Sequence, residues 1–349
     1  MKELKRITII ALLCVGIYIY YFHNDTSAAT QSNEPQQSVQ VENTTPEHHA
    51  PQVPPTLPLE SSQESAECDI RWAELPVQVE GDNLLYKSYF TTLSDGTRVR
   101  NYTVCYDTGR MTPHWVAYPL HKVYTTPKIE RTDAWAYDDA VTEYGEGGYD
   151  IIRYDYTEPR IAQHLQPNVA AGGFNDSENR ALDRGHMLPS ASRYNSWQTN
   201  AQTFYATNIF PQNARLNQQN WAKVEDCTRQ SMCADTLYVV VGTLFENSTT
   251  FVSRGRHITR PSHCYKLLLR TRSGNTGKRI DQITNAEELM AIGFLYENSS
   301  EGNVVPQQAV VSIAEVESRS GLKFFPNIDP AIEKSVKEQK NIADWRAFR

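Results

Sequence analysis

The segment Asp183–Pro189 reads Asp-Arg-Gly-His-Met-Leu-Pro and places a carboxylate, a guanidinium and an imidazole around one glycine. About thirty residues later, Asn217–Glu225 reads Asn-Gln-Gln-Asn-Trp-Ala-Lys-Val-Glu and carries an amide and a carboxylate at helical spacing. On a strand, alternate side chains share a face, so Arg184 and His186 would point the same way. The glycine between them permits a close backbone approach or unusual dihedral angles. We therefore predict that a strand and a helix meet at one polar site.

The helix predicted over residues 216–229 would carry its polar groups on one broad face. Each residue turns an α-helix by about 100°, so Asn217 and Glu225 would lie about 80° apart around the axis. Arg229 continues the same face one turn later. This spacing allows an amide to face a metal ion while a carboxylate contacts the water around the metal or a neighbouring arginine.

These side chains are the types that hydrolysis of a phosphodiester requires. A neutral imidazole can take a proton from attacking water, because its ordinary pKa lies near neutral pH. A hard cation such as Mg²⁺ neutralises charge on phosphate oxygens, and it needs few protein ligands because it keeps most of its waters. A guanidinium can bind phosphate through two N–H groups at once. The two segments together predict a metal-dependent nuclease.

The motifs, in their order, resemble the DNA/RNA non-specific endonuclease family. This family belongs to the ββα-metal (His-Me finger) class and includes secreted sugar-non-specific nucleases and mitochondrial endonuclease G. The resemblance covers about residues 82–328 and is specific, because several motifs occur in the expected order. It rests on Trp115–Tyr118, Asp183–His186, Asn208–Asn213, Leu216–Gln218, Trp221, Glu225 and Gly321–Pro326.

The resemblance implies a role for each matching residue. His186 would be the general base, and Asn217 would be the sole direct protein ligand of Mg²⁺, with Mn²⁺ as an alternative metal. Glu225 would support the water cluster of the metal. Arg184 and Arg229 would stabilise the phosphate and the leaving group. The substrates would be DNA and RNA, cut with little sequence specificity.

Two further residues are assigned to substrate binding by the same resemblance. Asn208 is expected to stand behind the catalytic residues. An upstream arginine is also expected, and Arg131 is the nearest candidate, although its surroundings match the family poorly. The sequence departs from the family pattern at Met187, where polar residues are common.

Simpler interpretations of these residues remain open from sequence alone. Asn217 could cap the N-terminus of a helix, and Glu225 with Arg229 could form an exposed pair at i,i+4 spacing. Arg131 could be a surface residue. Two other functions also compete: a phosphodiesterase acting on a substrate that is not nucleic acid, and a non-catalytic module that binds nucleic acid at the cell surface.

The rest of the chain predicts an α+β fold, with a central, mostly antiparallel sheet and packed helices. The family resemblance adds a ββα-metal finger to this expectation. Residues 130–180 are rich in Asp, Gly, Pro and Asn and are predicted to form long loops. Ser312 and Glu315 have the spacing of a capping box, which indicates a helix start. Strands are predicted at residues 84–90, 98–106, 115–120, 236–242, 264–269 and 291–296.

The N-terminal composition predicts export from the cytoplasm. Residues 1–6 are basic and residues 7–22 are uncharged and apolar, as in a cleaved signal peptide or an uncleaved membrane anchor. The following segment is polar and cannot form a core. The protein is therefore expected to be extracytoplasmic, secreted or tethered through residues 7–22. The predicted domains are a signal peptide or anchor (1–23), a disordered linker (24–67), an endonuclease domain (68–330) and a C-terminal tail (331–349).

Net charge and cysteine spacing limit which binding surfaces, metal sites and disulfides the chain can have. The chain has a net charge of −7, and residues 1–67 hold eight acidic against three basic residues, which leaves −2 for the remainder. This balance argues against binding of nucleic acid through a broad basic surface. The six cysteines include no Cys-x-x-Cys pair, which disfavours a zinc site. With an export signal, disulfides become the better interpretation, and Cys227 with Cys233 is the predicted pair.

Overall fold

A seven-stranded sheet forms the centre of the protein in the computed structural model, which describes residues 72–349 apart from residues 94, 139, 145–149, 155–158 and 175–181. The predicted signal or anchor (1–23) and linker (24–67) lie outside the described residues. Within the described ranges, no helix is both long and apolar enough to cross a membrane.

The strands that the sequence predicted are all present and belong to this sheet. Its order is β1-β2-β3-β8-β11-β12-β13, and each neighbouring pair is antiparallel. The α+β prediction is therefore confirmed. The strands of the structure are β1 (Leu84–Thr92), β2 (Arg98–Asp107), β3 (Thr112–Leu120), β4 (Ala140–Tyr144), β5 (Asp150–Tyr154), β6 (Leu182–His186), β7 (Ile209–Asn213), β8 (Leu237–Leu244), β9 (Thr249–Ser253), β10 (Arg256–Arg260), β11 (His263–Thr271), β12 (Leu289–Glu297) and β13 (Val310–Val311).

Both faces of the sheet are covered, which explains why the central strands read as continuous apolar runs. In β11, Cys264 and Leu268 point into the core on one face, whereas Tyr265 and Leu267 point into the core on the other. A strand buried on both sides favours apolar residues on both faces, so it loses the alternation of a half-exposed strand, although β11 also buries Lys266.

The helices lie on the two faces of this sheet. α5 begins at the predicted capping box, in which Ser312 Oγ accepts from Glu315 N and the Glu315 carboxylate accepts from Ser312 N. It ends at Gly321, whose φ of 71° is a conformation that favours glycine. The α-helices are α1 (Lys122–Thr125), α2 (Trp197–Ala201), α3 (Ala214–Leu216), α4 (Ala222–Gln230), α5 (Ile313–Ser320) and α6 (Glu333–Lys337), and a π-helical turn, Asn217–Trp221, joins α3 to α4.

The loop prediction for residues 130–180 was too simple. That region contains the paired strands β4 and β5. A second hairpin, β9 with β10, was also missed. Its tip has Arg254 and Gly255 at positive φ, which is the turn chemistry of a two-residue hairpin loop.

The segment predicted as a C-terminal tail, residues 331–349, packs against the core. Trp345 and Phe348 are each only 2% exposed. The ring of Phe348 stacks on Phe294 of β12 with 4.6 Å between centroids, and Gln307 Nε2 donates to the Phe348 carbonyl at 2.7 Å. The segment 331–349 is rich in charged residues, so its two buried aromatic side chains were not predicted to join the core.

The predicted Cys227–Cys233 disulfide is also wrong. Both thiols are free, as are Cys105 and Cys264, the other cysteines in the described part of the chain. Cys227 is buried in the core from α4, whereas Cys233 lies beyond the helix end and its thiol donates to the Asp235 carbonyl at 3.3 Å. The continuation of the helix to Gln230 keeps the two side chains on separate elements.

Candidate active site

The two segments singled out in the sequence meet as a strand pair followed by a helix. β6 pairs antiparallel with β7, and His186 lies opposite Ile209. The chain passes from β7 directly into helical backbone, where Asn213 accepts a hydrogen bond from Leu216 N at 3.1 Å. We call the continuous helical segment 214–230, made of α3, the π turn and α4, the site helix. The chain between β6 and β7 contains α2, and the chain after β7 forms the site helix.

A cleft of about 330 Å³ opens between β6 and the site helix. Five of the seven predicted site residues line it, and Arg229 and Asn208 do not. The lining consists of Arg131, Trp135, Asp183, Arg184, His186, Pro189, Ser190, Ala191, Asn217 and Glu225.

Gly185 is required by the pairing of β6 with β7. A Cβ atom at this position would lie 2.4 Å from Gln212 Oε1 and 2.6 Å from Gln212 Cβ, closer than carbon atoms can approach. Because glycine leaves room for Gln212, β6 can stay flat against β7. Its alternate residues Arg184 and His186 then both reach the cleft.

The His186 ring is held between two aromatic side chains and near two cations. Its centroid lies 5.2 Å from that of Trp135 and 5.1 Å from that of Phe204, which meets it edge to face. Burial lowers the pKa of His186 to about 3, and the positive charges of Arg131 and Arg184 add to this effect. The imidazole of the free protein is therefore neutral at neutral pH, the state that can accept a proton.

Acid should destabilise the wild-type protein through His186. An unfolded histidine has a pKa near 6.5, so between about pH 6.5 and pH 3 the unfolded state binds a proton that the folded state does not, and stability falls with pH. Replacing His186 by Asn removes this contribution. We expect the variant to gain stability relative to wild type, on the order of 1–2 kcal/mol, when the pH falls from 7.5 to 4.5. Urea unfolding of both proteins at both pH values measures the free energy of unfolding. The same difference between variant and wild type at pH 7.5 and pH 4.5 would contradict the expectation.

Arg184 is positioned by an aromatic face and a carbonyl. Its guanidinium carbon lies 3.6 Å from the centroid of the Trp135 ring, and its Nη1 donates to the Val169 carbonyl at 2.7 Å. Burial lowers the pKa of Arg184. The group remains charged at neutral pH, because arginine starts from so high a value.

Arg131 also reaches the cleft, from a turn before β4. Its Nε donates to Asp133 Oδ1 at 2.8 Å, and its Nη1 donates to Ser190 Oγ at 2.9 Å. Asp133 adopts φ of 47°, a left-handed conformation that aspartate tolerates better than most residues. This turn brings Arg131 and Trp135 to the same cleft although the local sequence matches the family poorly.

Asn217 is oriented by a carboxylate. Its Nδ2 donates to Asp183 Oδ2 at 2.8 Å, and Gln218 Nε2 donates to the same oxygen at 2.8 Å. A carboxylate can only accept, so the amide nitrogen must face it. The opposite end of the amide is an oxygen, which is the donor atom that hard cations prefer.

The π turn changes the phase of the site helix. An i→i+5 turn holds one residue more than an α turn, so Asn217 and Glu225 are separated by about seven α-helical steps instead of eight. Seven steps of about 100° fall roughly 20° short of two full turns. The two side chains therefore lie on nearly one stripe, closer than the 80° expected from the sequence, and both reach the cleft.

Glu225 and Arg229 stand at the inner end of the site. Burial raises the pKa of Glu225, and the charges of Lys266 and Arg229 oppose that rise. Arg229 pairs with Asp226 on the same helix, and its Nη1 is buried without a partner among the described residues. The structure thus places Arg229 beside Glu225 rather than in the cleft lining.

The predicted substrate contact by Asn208 is not supported by its position, and this assignment is corrected. Asn208 is fully buried, with 0% exposure. Its amide accepts from Leu188 N at 2.9 Å and donates to the Leu188 and Thr203 carbonyls at 3.0 and 2.6 Å. All of these partners are backbone atoms, so Asn208 fixes the chain that follows His186.

Two site residues escaped the sequence interpretation. Asp183 stood in the opening motif without a role, and its spacing to Asn217 across 34 positions gave no signal of contact. Trp135 lies in a segment read as loop, where an aromatic residue so near Arg131 was the available hint. Both act by holding another side chain in place.

The donor set fits a highly hydrated cation better than a cation held by protein alone. Across the described ranges, no group of three or more His, Cys, Asp or Glu side chains could hold a metal. The available ligand in the cleft is the amide oxygen of Asn217, with the Glu225 carboxylate nearby. One side-chain oxygen suits Mg²⁺, which usually keeps several waters.

Comparisons with known proteins show the family to which this chain belongs. The model of a family described as DNA/RNA non-specific endonuclease matches residues 80–331. The chain is 27% identical over 239 residues to a nuclease of Nostoc sp., which covers 68% of this chain and 76% of the relative. It is 28% identical over 251 residues to the mitochondrial nuclease EXOG of Xenopus laevis, which covers 67% of this chain and 60% of the relative. The mitochondrial endonuclease G of Bos taurus is 26% identical over 239 residues, covering 65% and 68% of the two chains.

Proposed function

Because the chain belongs to the DNA/RNA non-specific endonuclease family, we propose that it hydrolyses phosphodiester bonds of DNA and RNA in a Mg²⁺-dependent reaction with little sequence specificity. The observation that carries this proposal is a single cleft lined by His186, Arg184 and Asn217. A base, a cation for phosphate and a metal ligand thus face one space. The chain spans about three-fifths of the length of the EXOG relative, so the proposed activity rests on the residues of the cleft.

His186 accepts the proton of the attacking water. The ring lines the cleft beside Arg184 and Arg131, where an unprotonated ring nitrogen can take the proton. The low pKa of the free enzyme keeps the ring unprotonated. A bound phosphate would offset the charges of Arg131 and Arg184, so the pKa of His186 would rise toward the range in which a base is most effective.

Arg184 and Arg131 bind the non-bridging oxygens of the phosphate. Arg184 is held flat against Trp135, and Arg131 is held by Asp133 and Ser190. Fixed guanidinium groups need little rearrangement when negative charge builds up on the phosphate, which is the source of their effect on the rate.

Asn217 would hold the magnesium ion through its amide oxygen, and Asp183 keeps that oxygen turned away from itself. When bound, the ion would supply Lewis-acid neutralisation of charge at the phosphate and at the leaving oxygen. Glu225 hydrogen-bonds water in the cleft, and Arg229 holds Glu225 by its charge. The metal could equally be Mn²⁺, which accepts the same oxygen ligands.

The N-terminal residues favour a site of action outside the cytoplasm. Residues 1–23 have the composition of a signal peptide or an anchor, and residues 24–67 that of a linker. We propose a secreted or membrane-tethered nuclease.

A cleavage assay tests the proposed function. The purified chain is incubated with plasmid, single-stranded DNA, RNA and bis-p-nitrophenyl phosphate, with Mg²⁺ or with EDTA. We expect all three nucleic acids to be cut with Mg²⁺ and none with EDTA. Cleavage of the small ester alone would favour a phosphodiesterase with another substrate. Binding of nucleic acid without any cleavage would favour the non-catalytic module.

A further inference from the structure

A second cavity, of about 550 Å³, lies at the C-terminal end of the site helix. Four arginines line it, whereas Asp344 is the one acidic side chain in the lining. We call it the basic cavity. Its arginines are Arg270, Arg272, Arg346 and Arg349.

Most of this positive charge is not neutralised by carboxylates. Arg272 Nη1 pairs with Asp344 at 2.9 Å. Arg270 Nη1 donates to the Ser231 carbonyl at 2.8 Å, and the Arg349 guanidinium donates to the Ala343 carbonyl. These carbonyl partners carry no net charge. Arg346 and Arg349 are exposed and available to a ligand.

The basic cavity and the catalytic cleft are both lined by residues of one rigid element, the site helix. The residue Gln230, which ends α4, lines the cavity, and Asn217 lines the cleft. Thirteen residues of helix separate Gln230 from Asn217, the proposed metal ligand, which is about 20 Å. Glu225, the other cleft residue of the site helix, lies between them. Met290 and Trp345 line the cavity and belong to the same core cluster as Trp221 of the site helix, so both sites are on one face of the sheet.

We propose that the basic cavity binds backbone phosphates of a nucleic acid whose scissile phosphate lies in the catalytic cleft. This inference rests on the proposed function. Phosphates of one strand in a duplex advance about 3.4 Å per nucleotide along the axis, so about 20 Å corresponds to roughly six nucleotides. In a chain with a net charge of −7, such a local cluster of cations gives contact with phosphate without a broad basic surface. The cavity therefore makes affinity depend on substrate length.

The double variant Arg346→Gln/Arg349→Gln tests this proposal, because both side chains are exposed. The matched control is Lys323→Gln/Lys334→Gln, which removes the same charge beside the core on the opposite face of the sheet. Binding of a fluorescent duplex of about 30 base pairs and of a four-nucleotide strand is measured by anisotropy in EDTA at several salt concentrations. We expect the arginine variant to bind the duplex about tenfold more weakly, with a salt slope lower by about 2. Its affinity for the short strand and its kcat on the small ester should equal wild type.

Other outcomes would overturn the proposal. Wild-type affinity and wild-type salt slope in the arginine variant would remove the basic cavity from substrate binding. If the lysine control lost as much affinity for the duplex, net charge alone would explain the effect. If the arginine variant lost as much affinity for the four-nucleotide strand, the basic cavity would not be a distal contact. The proposed function fails separately: a wild-type chain that binds duplex and cuts nothing would disprove nuclease activity and still leave the binding comparison valid.

Discussion

Replacing His186 by alanine is expected to lower the turnover of nucleic acid by about 10²–10⁴-fold, the usual effect of losing a general base. The neutral ring lies in the cleft between Trp135 and Phe204, and no other histidine in the described part of the chain lines that space. The His186 ring is half-buried and contacts Trp135 and Phe204. Its removal leaves a space at the wall of the cleft and should spare the fold. Initial rates on plasmid and on bis-p-nitrophenyl phosphate with Mg²⁺ give the effect on turnover.

His257→Ala is the matched control, because His257 is an exposed histidine of β10 outside the cleft. Circular dichroism and urea unfolding should show that both variants fold. Wild-type turnover by the His186→Ala enzyme would exclude His186 from proton transfer, however well placed the ring is.

Replacing Asn217 by alanine is expected to lower activity at 1 mM Mg²⁺ by about 10²-fold or more and to shift the Mg²⁺ titration to higher concentrations. The amide oxygen is the proposed direct ligand, and Asp183 sets its direction. Asn217→Asp should also be impaired, because two carboxylates would then stand at hydrogen-bond distance and repel each other.

The double variant Asp183→Asn/Asn217→Asp tests whether residue 217 binds the metal or only holds the local structure. In the exchanged pair, the amide at position 183 donates to the carboxylate at position 217, and an oxygen again faces the metal. We expect this double variant to regain much of the activity that Asn217→Asp lost. An Asn217→Ala enzyme with an unchanged Mg²⁺ titration would show that the metal is held elsewhere.

Much of the sheet could be predicted because its strands are buried on both faces. Residues 237–241 are apolar without interruption, and residues 264–269 are apolar except at Lys266, and such runs bounded by turn residues leave little choice of structure. Local chemistry also predicted the helix start at Ser312. The aromatic anchors of the last residues were missed, because Trp345 and Phe348 pack against strands far away in the sequence.

The site was predictable only as far as its chemistry is local. Arg184 and His186 follow from strand alternation across one glycine. The contact between Asp183 and Asn217 depends on how the site helix lies against β6, and sequence spacing cannot give that. The position of Trp135 under Arg184 likewise depends on a left-handed turn at Asp133.

The extra residue of the π turn has a consequence for engineering. Deleting one residue within Asn217–Trp221 would let the segment wind as a regular α-helix, which is the better bonded form. The same deletion would keep Asn217 and Glu225 in phase, because seven regular α-helical steps span about the same angle as eight residues that include the π turn. A shortened chain of this kind should melt no earlier than the parent and keep its activity, so the π turn accommodates an extra residue without moving the two side chains apart.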